Sequence, residues 1–428
     1  MKKFNALIVI LIILIIGILA FYANFFAGII YVNFIVFLEF FSFLLVRNLR
    51  KNFQWLIVPN DEYPELDKNG LDKFMKQGHD KELGWARKPN TEKEEIGKEG
   101  KTKYHIDKKG IRKNPEHEKL AKKISCYGDS FVFSRQVNDN ETWEWHLSKL
   151  TNSNVLNFGV GNYGFDQSLL RLKREYEKNK TKIVIMGVVP STIVRILCVW
   201  KHYSEFGNTF AFKPRFILNN GKLKFIENIV DTKEKFLNYK EFLPEIKKYD
   251  YFYKTYFKKE ILQFPYSASI LADPRRNIPL IFLVSWYKWV KEDNPNQPYP
   301  TPMNIIMKLN LKLRRRIFKK DEEAIKLFEK LIEEFIKYSN QKKFTPVFLF
   351  MPQKDDILFV KKKPYYDNFI NKVKKKLPTI DLTQPLIEAK DLDVLYSDDN
   401  KYGGHYSKYG NKFIAEIIFE KLKEEKII

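Results

Sequence analysis

The chain opens on an almost unbroken apolar stretch, residues 4–46, in which Glu39 is the sole charged side chain. A bilayer core takes about 20 apolar residues per helix, so the stretch has room for two spans. The pattern predicts helices over 6–22 and 29–46, turning around 24–28. A cleaved signal peptide built on Lys2, Lys3 and the run 7–16 is the weaker reading: no small-residue cleavage site follows, and the apolar run continues far beyond it. Lys2 and Lys3 flank the first span, and Arg47, Arg50 and Lys51 the second. For a hairpin, the positive-inside rule puts the rest of the chain in the cytoplasm; for a single span it puts it outside. Glu39 is a costly intramembrane carboxyl, to be read as protonated, snorkelling or paired with another chain, or as lying near the interface of a tilted helix.

Residues 60–122 are charged and interrupted, a juxtamembrane lead-in. Beyond them strand and helix patterns alternate. Short apolar runs at 123–127, 155–158, 182–189, 344–351 and 379–382 read as buried strands. Between and after them, a helix opened by Asp166 and helices over 322–338 and 412–422 set apolar residues against a charged face. Such alternation predicts a parallel sheet covered on both faces. Between about 200 and 320 the alternation breaks down, which marks an insertion. Within it, 303–320 is a basic amphipathic helix with Ile305, Ile306, Leu309 and Leu313 opposite Lys308, Lys312 and Arg314–Arg316. It suits either a headgroup layer or a solvated face. The expected organisation is an anchor over 1–50, a lead-in over 51–122, and an α/β domain over 123–428 carrying that insertion.

Composition narrows the function classes. The 428 residues include 75 Lys+Arg against 52 Asp+Glu, a net charge of +23, but only 14 of the 75 cations are Arg. Nucleic-acid recognition favours the forked guanidinium, so the charge reads as a Lys-biased surface and no nucleic-acid partner is expected. Two cysteines, Cys126 and Cys198, leave no disulfide scaffold and no Cys-based metal cluster.

Two segments carry candidate chemistry. Gly128-Asp129-Ser130-Phe131 closes the first buried strand, at the sheet edge where open α/β folds bind ligands. The Ser130 backbone N–H there is a candidate oxyanion donor. Near the other end, His405 lies in Gly403-Gly404-His405-Tyr406-Ser407, on a glycine-flanked loop, and is the best general-base candidate among the histidines. A serine nucleophile needs an imidazole in reach and a third group to orient it. Asp398 and Asp399 stand shortly upstream for that role; Tyr402 or a backbone carbonyl are the alternatives.

With these blocks the sequence resembles the SGNH (GDSL-like) hydrolases, in particular a membrane-anchored bacterial branch of esterases and O-acyltransferases. Asn157-Phe158-Gly159-Val160-Gly161-Asn162-Tyr163-Gly164 is similar to the second family block, and Gly403 to Ser407 with Gly410-Asn411 to the last. Leu83-Gly84-Trp85, Tyr104, Gly110-Ile111-Arg112 and Thr142-Trp143 add to the likeness. The resemblance implies a flavodoxin-like three-layer α/β/α fold, Ser130 as nucleophile, His405 as base and Asp399 (alternatively Asp398) as acid. It implies an oxyanion hole from the Ser130 and Gly161 amides and Asn162. Three departures stand out. Asn162 occupies a usual glycine. Ser191 or Thr192 replaces the usual oxyanion asparagine. Position 402, where the acid is usual, is Tyr. Arg195, Arg215 and Asp129 are candidate substrate contacts.

The expected protein is thus a serine esterase or O-acyltransferase anchored in a bacterial-type membrane, with no metal or organic cofactor. Its substrate would be an acylated, above all acetylated, carbohydrate or a lipid-linked envelope precursor, and the hairpin offers a surface for a membrane-protein partner. Two other readings compete: a catalytically silent carbohydrate-binding or assembly subunit, and a lipid esterase.

Overall fold

The computed structural model describes residues 2–53, 55–290, 301–360, 363–399 and 402–428. The chain divides into two compact units: Met1–Glu65 with Tyr203–Phe206 and Tyr251–Asn310, and Leu66–His202 with Gly207–Asp250 and Leu311–Ile428. The stretch marked in the sequence as one insertion is therefore split. Residues 207–250 belong to the α/β unit and 251–310 to the helical unit, while 291–300 lie outside the described residues.

In the helical unit, α1 (Lys2–Ala23) and α2 (Phe25–Asn52) are separated by Asn24 alone. Asn24 is extended, and its side chain accepts from the Phe26 N–H at 3.0 Å and the Ala27 N–H at 3.4 Å, so it starts α2 as an N-cap. A Cβ on Gly17 would lie 3.1 Å from the Tyr31 ring, and one on Gly28 2.9 Å from the Phe21 backbone. Those pairs run in opposite directions along the two helices, which makes α1–α2 an antiparallel hairpin. Among the described residues one helix, Phe25–Lys51, is long and apolar enough to cross a membrane, with a mean hydropathy of 2.4; Leu14–Ala23 is apolar but shorter.

Glu39 has partners within the chain. Its carboxylate accepts from the Tyr266 N–H, from the Ser267 N–H at 3.0 Å and from the Ser267 hydroxyl at 2.7 Å. It thereby caps the short helix Tyr266–Ala272. Val46 and Leu49 of α2 pack with Leu56, Leu262, Leu280 and Ile306, and Leu309 lies against that cluster. Part of the apolar face of helix Thr301–Lys320 is therefore occupied by protein.

The α/β unit is built on five parallel strands: β1 (Lys122–Tyr127), β2 (Asn154–Asn157), β3 (Ile183–Val188), β4 (Thr345–Phe350) and β5 (Thr379–Asp381). Their spatial order is β5-β4-β3-β1-β2, the doubly wound flavodoxin-like arrangement. Side-chain alternation explains why continuous apolar runs are needed. Ile124, Cys126, Ile185, Val347 and Leu349 point to one face, where Trp143 and Leu147 of α3 (Trp143–Thr151) cover them. Ile414, Ile418 and Leu422 of α6 (Lys408–Glu424) complete that layer. On the other face Phe348 meets Phe165 of α4 (Phe165–Glu175) and Phe328 of α5 (Glu322–Lys342), with ring centroids 6.3 and 6.4 Å away. Each such buried ring contributes about 1.5–3 kcal/mol by leaving water.

α5 follows its sequence pattern. Asp321 caps its N-terminus through the Ala324 N–H at 3.0 Å, and Lys343 ends it in the left-handed region. The chain order reverses between β1 and β3, which opens a crevice at their carboxyl ends. Ser130 lies there, just past β1.

Candidate active site

The turn after β1 is forced by close packing. A Cβ on Gly128 would lie 2.5 Å from the Gly187 carbonyl oxygen of β3 and 2.3 Å from Val132, so only glycine fits between the two strand ends. Asp129 then organises the turn. One carboxylate oxygen accepts the Phe131 N–H at 2.8 Å, and the other takes the Arg195 guanidinium. Backbone bonds from Phe133 to Asp129 at 2.9 Å and from Arg135 to Ser130 at 3.2 Å wind residues 129–135 tightly.

Arg112 holds the outer side of this loop. Fully buried, it donates to the Phe133 and Ser134 carbonyls, both at 2.6 Å, to the Val137 carbonyl at 2.7 Å and to Asp139 at 2.9 Å. Glu95, on the hairpin Thr91–Gly97/Gly100–Ile106, takes the Arg135 Nε at 2.7 Å and the Gln136 N–H at 2.9 Å. One loop thus carries both Ser130 and Gln136, fastened on two sides.

His405 arrives from the far end of the chain. Gly403 and Gly404 both have positive φ, 71° and 64°, which is the conformation the glycine pair in the sequence serves. Downstream, Ser407 caps α6 through the Gly410 N–H at 3.1 Å. Asn411 ties that loop to α3: its side chain donates to the Tyr406 and Ser407 carbonyls at 3.0 and 2.9 Å and accepts the Trp143 N–H at 3.1 Å. The imidazole packs 4.9 Å from the Phe131 ring.

These constraints bring the His405 Nε2 to 2.8 Å from the Ser130 Oγ. The other ring nitrogen, Nδ1, lies 2.7 Å from the Gln136 Oε1. That oxygen also accepts the His405 N–H at 3.1 Å and the Ser397 hydroxyl at 2.9 Å, while the Gln136 Nε2 donates to the Ile96 carbonyl at 3.1 Å. The network fixes the amide with its oxygen toward histidine, so Nδ1 is the protonated nitrogen and Nε2 offers a lone pair to the serine. Burial first, then Arg135 and Arg195, lower the His405 pKa to about 3, so the ring is neutral. A neutral imidazole in this tautomer can take the Ser130 proton as the hydroxyl attacks an electrophile. The amide orients the ring but brings no charge to balance an imidazolium.

Several sequence expectations are corrected. Asp399 is exposed and paired with Lys98, and Nδ1 is held by Gln136 rather than by Asp398, Asp399 or Tyr402. The loop 129–136, fastened beside His405, occupies the place an acid would need. Asp399→Asn is accordingly expected to change kcat/KM for an ester by less than about twofold, as for an exposed surface pair. A loss above about tenfold would return the acid role to that residue. Asp129 is an internal carboxylate, 2% exposed, whose two oxygens are committed within the protein. Arg195 is spent largely on it. Arg215 is buried and donates to the Leu197 and Tyr249 carbonyls, both at 2.6 Å, so it holds backbone.

The remaining candidates are mixed. Gly161 receives the Trp85 indole N–H on its carbonyl at 2.9 Å, and Asn162 adopts φ 66°, a conformation Asn tolerates. Both line a cleft of about 970 Å³ that also touches Arg135 and Gln136. Among the described residues, no protein acceptor takes the Ser130 or Gly161 amide. Ser191 has a buried hydroxyl without a partner, whereas Thr192 is buried and bonds the Val189 carbonyl through its N–H at 2.9 Å. Gln136 and Ser397 were not foreseen. Nothing in a lone glutamine six positions after Ser130 marks it as a histidine partner; only the return of the chain at 405 does.

No family model and no curated protein matches the sequence. Solved structures that the chain matches include one described as a lipolytic protein of the G-D-S-L family from Desulfitobacterium hafniense DCB-2. It shares 13% identity over 70% of this chain and 99% of that one, with a TM-score of 0.30. A second crystal structure shares 12% identity over 71% and 97% of the two chains, with a TM-score of 0.34.

Proposed function

We propose that this chain is a serine-dependent acyl hydrolase or O-acyltransferase, attached to a membrane through α2. The observation that carries the reading is the Ser130–His405 contact of 2.8 Å, with the far ring nitrogen held at 2.7 Å by Gln136. Ser130 Oγ attacks the carbonyl carbon of an ester as its proton passes to the His405 Nε2. The tetrahedral intermediate then expels the alkoxide, which takes that proton, and an acyl-Ser130 remains. Water or a second hydroxyl attacks the acyl group with His405 again as base, which regenerates Ser130 and releases acid or a new ester. The Ser130 and Gly161 amides, which meet no protein acceptor among the described residues, and the side chain of Asn162 are the proposed oxyanion donors. An acetylated or otherwise acylated carbohydrate of the cell envelope is the proposed substrate.

The test is labelling of the full chain by a fluorophosphonate. Wild type should be labelled, and Ser130→Ala should lose all labelling while keeping its thermal transition. A folded wild-type chain that is never labelled and cleaves no ester would favour the second reading, a silent binding domain. What supports that alternative is the uncharged partner on His405.

A further inference from the structure

The cleft that reaches Gln136, the partner of His405, carries an excess of positive charge. Arg87, just after Gly84–Trp85, lies in its wall with Lys73 and Lys93. The Arg87 guanidinium donates to the Tyr104 hydroxyl at 2.6 Å and stacks 4.4 Å over the Phe133 ring, and neither partner is anionic. Among the described residues its Nε is buried with no acceptor, and a Cβ on Gly161 would lie 3.9 Å from its Nη2. A desolvated guanidinium is normally paired, and a buried donor without an acceptor calls for an explanation.

The carboxylates of the cleft are engaged elsewhere. Glu92 pairs with Lys103 at 3.0 Å, Glu94 with Lys101 at 3.6 Å and Glu95 with Arg135 at 2.7 Å. Among the described residues neither Lys73 nor Lys93 has a carboxylate in ion-pair range. Burial, then repulsion from Arg87 and Lys73, lower the Lys93 pKa against an opposing pull from Glu95, which places Lys93 in the field of both other cations. The fork of Arg87 suits a planar or tetrahedral oxyanion, and the two lysines add mobile charge at the rim. The Trp85 ring, pinned to the Gly161 carbonyl at 2.9 Å, supplies an apolar wall beside them.

We propose that the cleft binds an ester whose alcohol portion carries an anionic group, a carboxylate or a phosphate, and that Arg87 with Lys73 and Lys93 is its recognition site. The inference rests on the acyl-transfer reading of Ser130 and His405, and names the substrate class for it.

The test compares an O-acetylated uronic acid, an O-acetylated sugar phosphate and a neutral O-acetylated hexose on the full chain in detergent. Wild type is expected to favour at least one anionic ester by about tenfold or more in kcat/KM, and the preferred ester identifies the anion. Arg87→Gln should reduce that ratio about tenfold, chiefly through KM, and Arg87→Lys should recover part of it. Lys93→Gln and Lys73→Gln, at exposed positions, should each reduce it severalfold and keep the test open should Arg87→Gln not fold. In parallel, calorimetry on Ser130→Ala should show binding of the free uronic acid or sugar phosphate that Arg87→Gln removes. Ester turnover with no anionic preference, or with a preference untouched by all three cation variants, overturns the proposal and leaves the acyl-transfer reading standing. Arg87-dependent anion binding without turnover of any ester supports the anion site and overturns the acyl-transfer reading alone.

Discussion

Gln136→Ala is expected to lower kcat for ester cleavage by about 10²–10⁴-fold while Ser130 and His405 both remain in place. The reason is tautomeric. Without an acceptor at Nδ1 the ring is free to turn or to carry its proton on Nε2, and a protonated Nε2 cannot accept from serine. Gln136→Glu separates orientation from charge. A glutamate still accepts the Nδ1 proton but adds a negative charge beside the ring, which favours the imidazolium and raises its pKa. In the proposed role of base, His405 must be neutral. With its pKa at about 3, the wild-type acidic limb of kcat/KM should lie well below the ordinary histidine value of about 6.5. In Gln136→Glu that limb should move upward in pH. A Gln136→Ala enzyme within threefold of wild type, or a glutamate variant with an unmoved pH profile, would show that the amide does not orient the base.

The second large effect concerns Arg112, which touches neither Ser130 nor His405. Arg112→Met removes four donor contacts and leaves Asp139, 8% exposed, without its guanidinium and held, among the described residues, only by the His105 ring at 2.7 Å and the His105 N–H at 3.1 Å. Breaking a buried pair from one side costs about 3–5 kcal/mol, because the remaining charge stays desolvated. The expected result is a loss of stability of that size, read by denaturant unfolding of the full chain. Fluorophosphonate labelling should also slow by more than tenfold in the remaining folded fraction, since the carbonyls released at 133, 134 and 137 belong to the loop that aims Ser130 and Gln136. Asp139→Asn, which keeps shape and removes charge, should cost less. A destabilisation under about 1 kcal/mol for Arg112→Met would mean that Glu95 and the backbone bonds hold the loop without it.

Much of this molecule is legible in its sequence. The strand runs ending at 127, 158, 189, 351 and 382 were visible because a strand buried on both faces must be apolar throughout, and sequence shows that directly. The turn that carries Ser130 could be located because the close approach of β1 and β3 needs a glycine at the strand end, and the His405 loop because a glycine pair with positive φ shows directly in the sequence. Asp399 misled because carboxylates near a histidine in sequence look like its partners, while the actual contact at Gln136 comes from a residue 269 positions away. Arg195 and Arg215 misled in a related way. An arginine in a loop looks equally like a ligand for substrate or for backbone carbonyls, and only burial tells the two apart.

The alternation of strand and helix, the apolar N-terminal segment and the two segments that carry Ser130 and His405 are written in the order of residues alone. Local sterics and hydrophobic periodicity are encoded by neighbouring residues, so these features needed no third dimension. Tertiary packing set what the imidazole leans on, which carboxylates are already committed, how residues 200–320 divide between two units and where Arg87 stands, among the described residues, with no carboxylate in ion-pair range. Each of these depends on which distant groups share a desolvated space, and that is fixed only when the chain closes on itself.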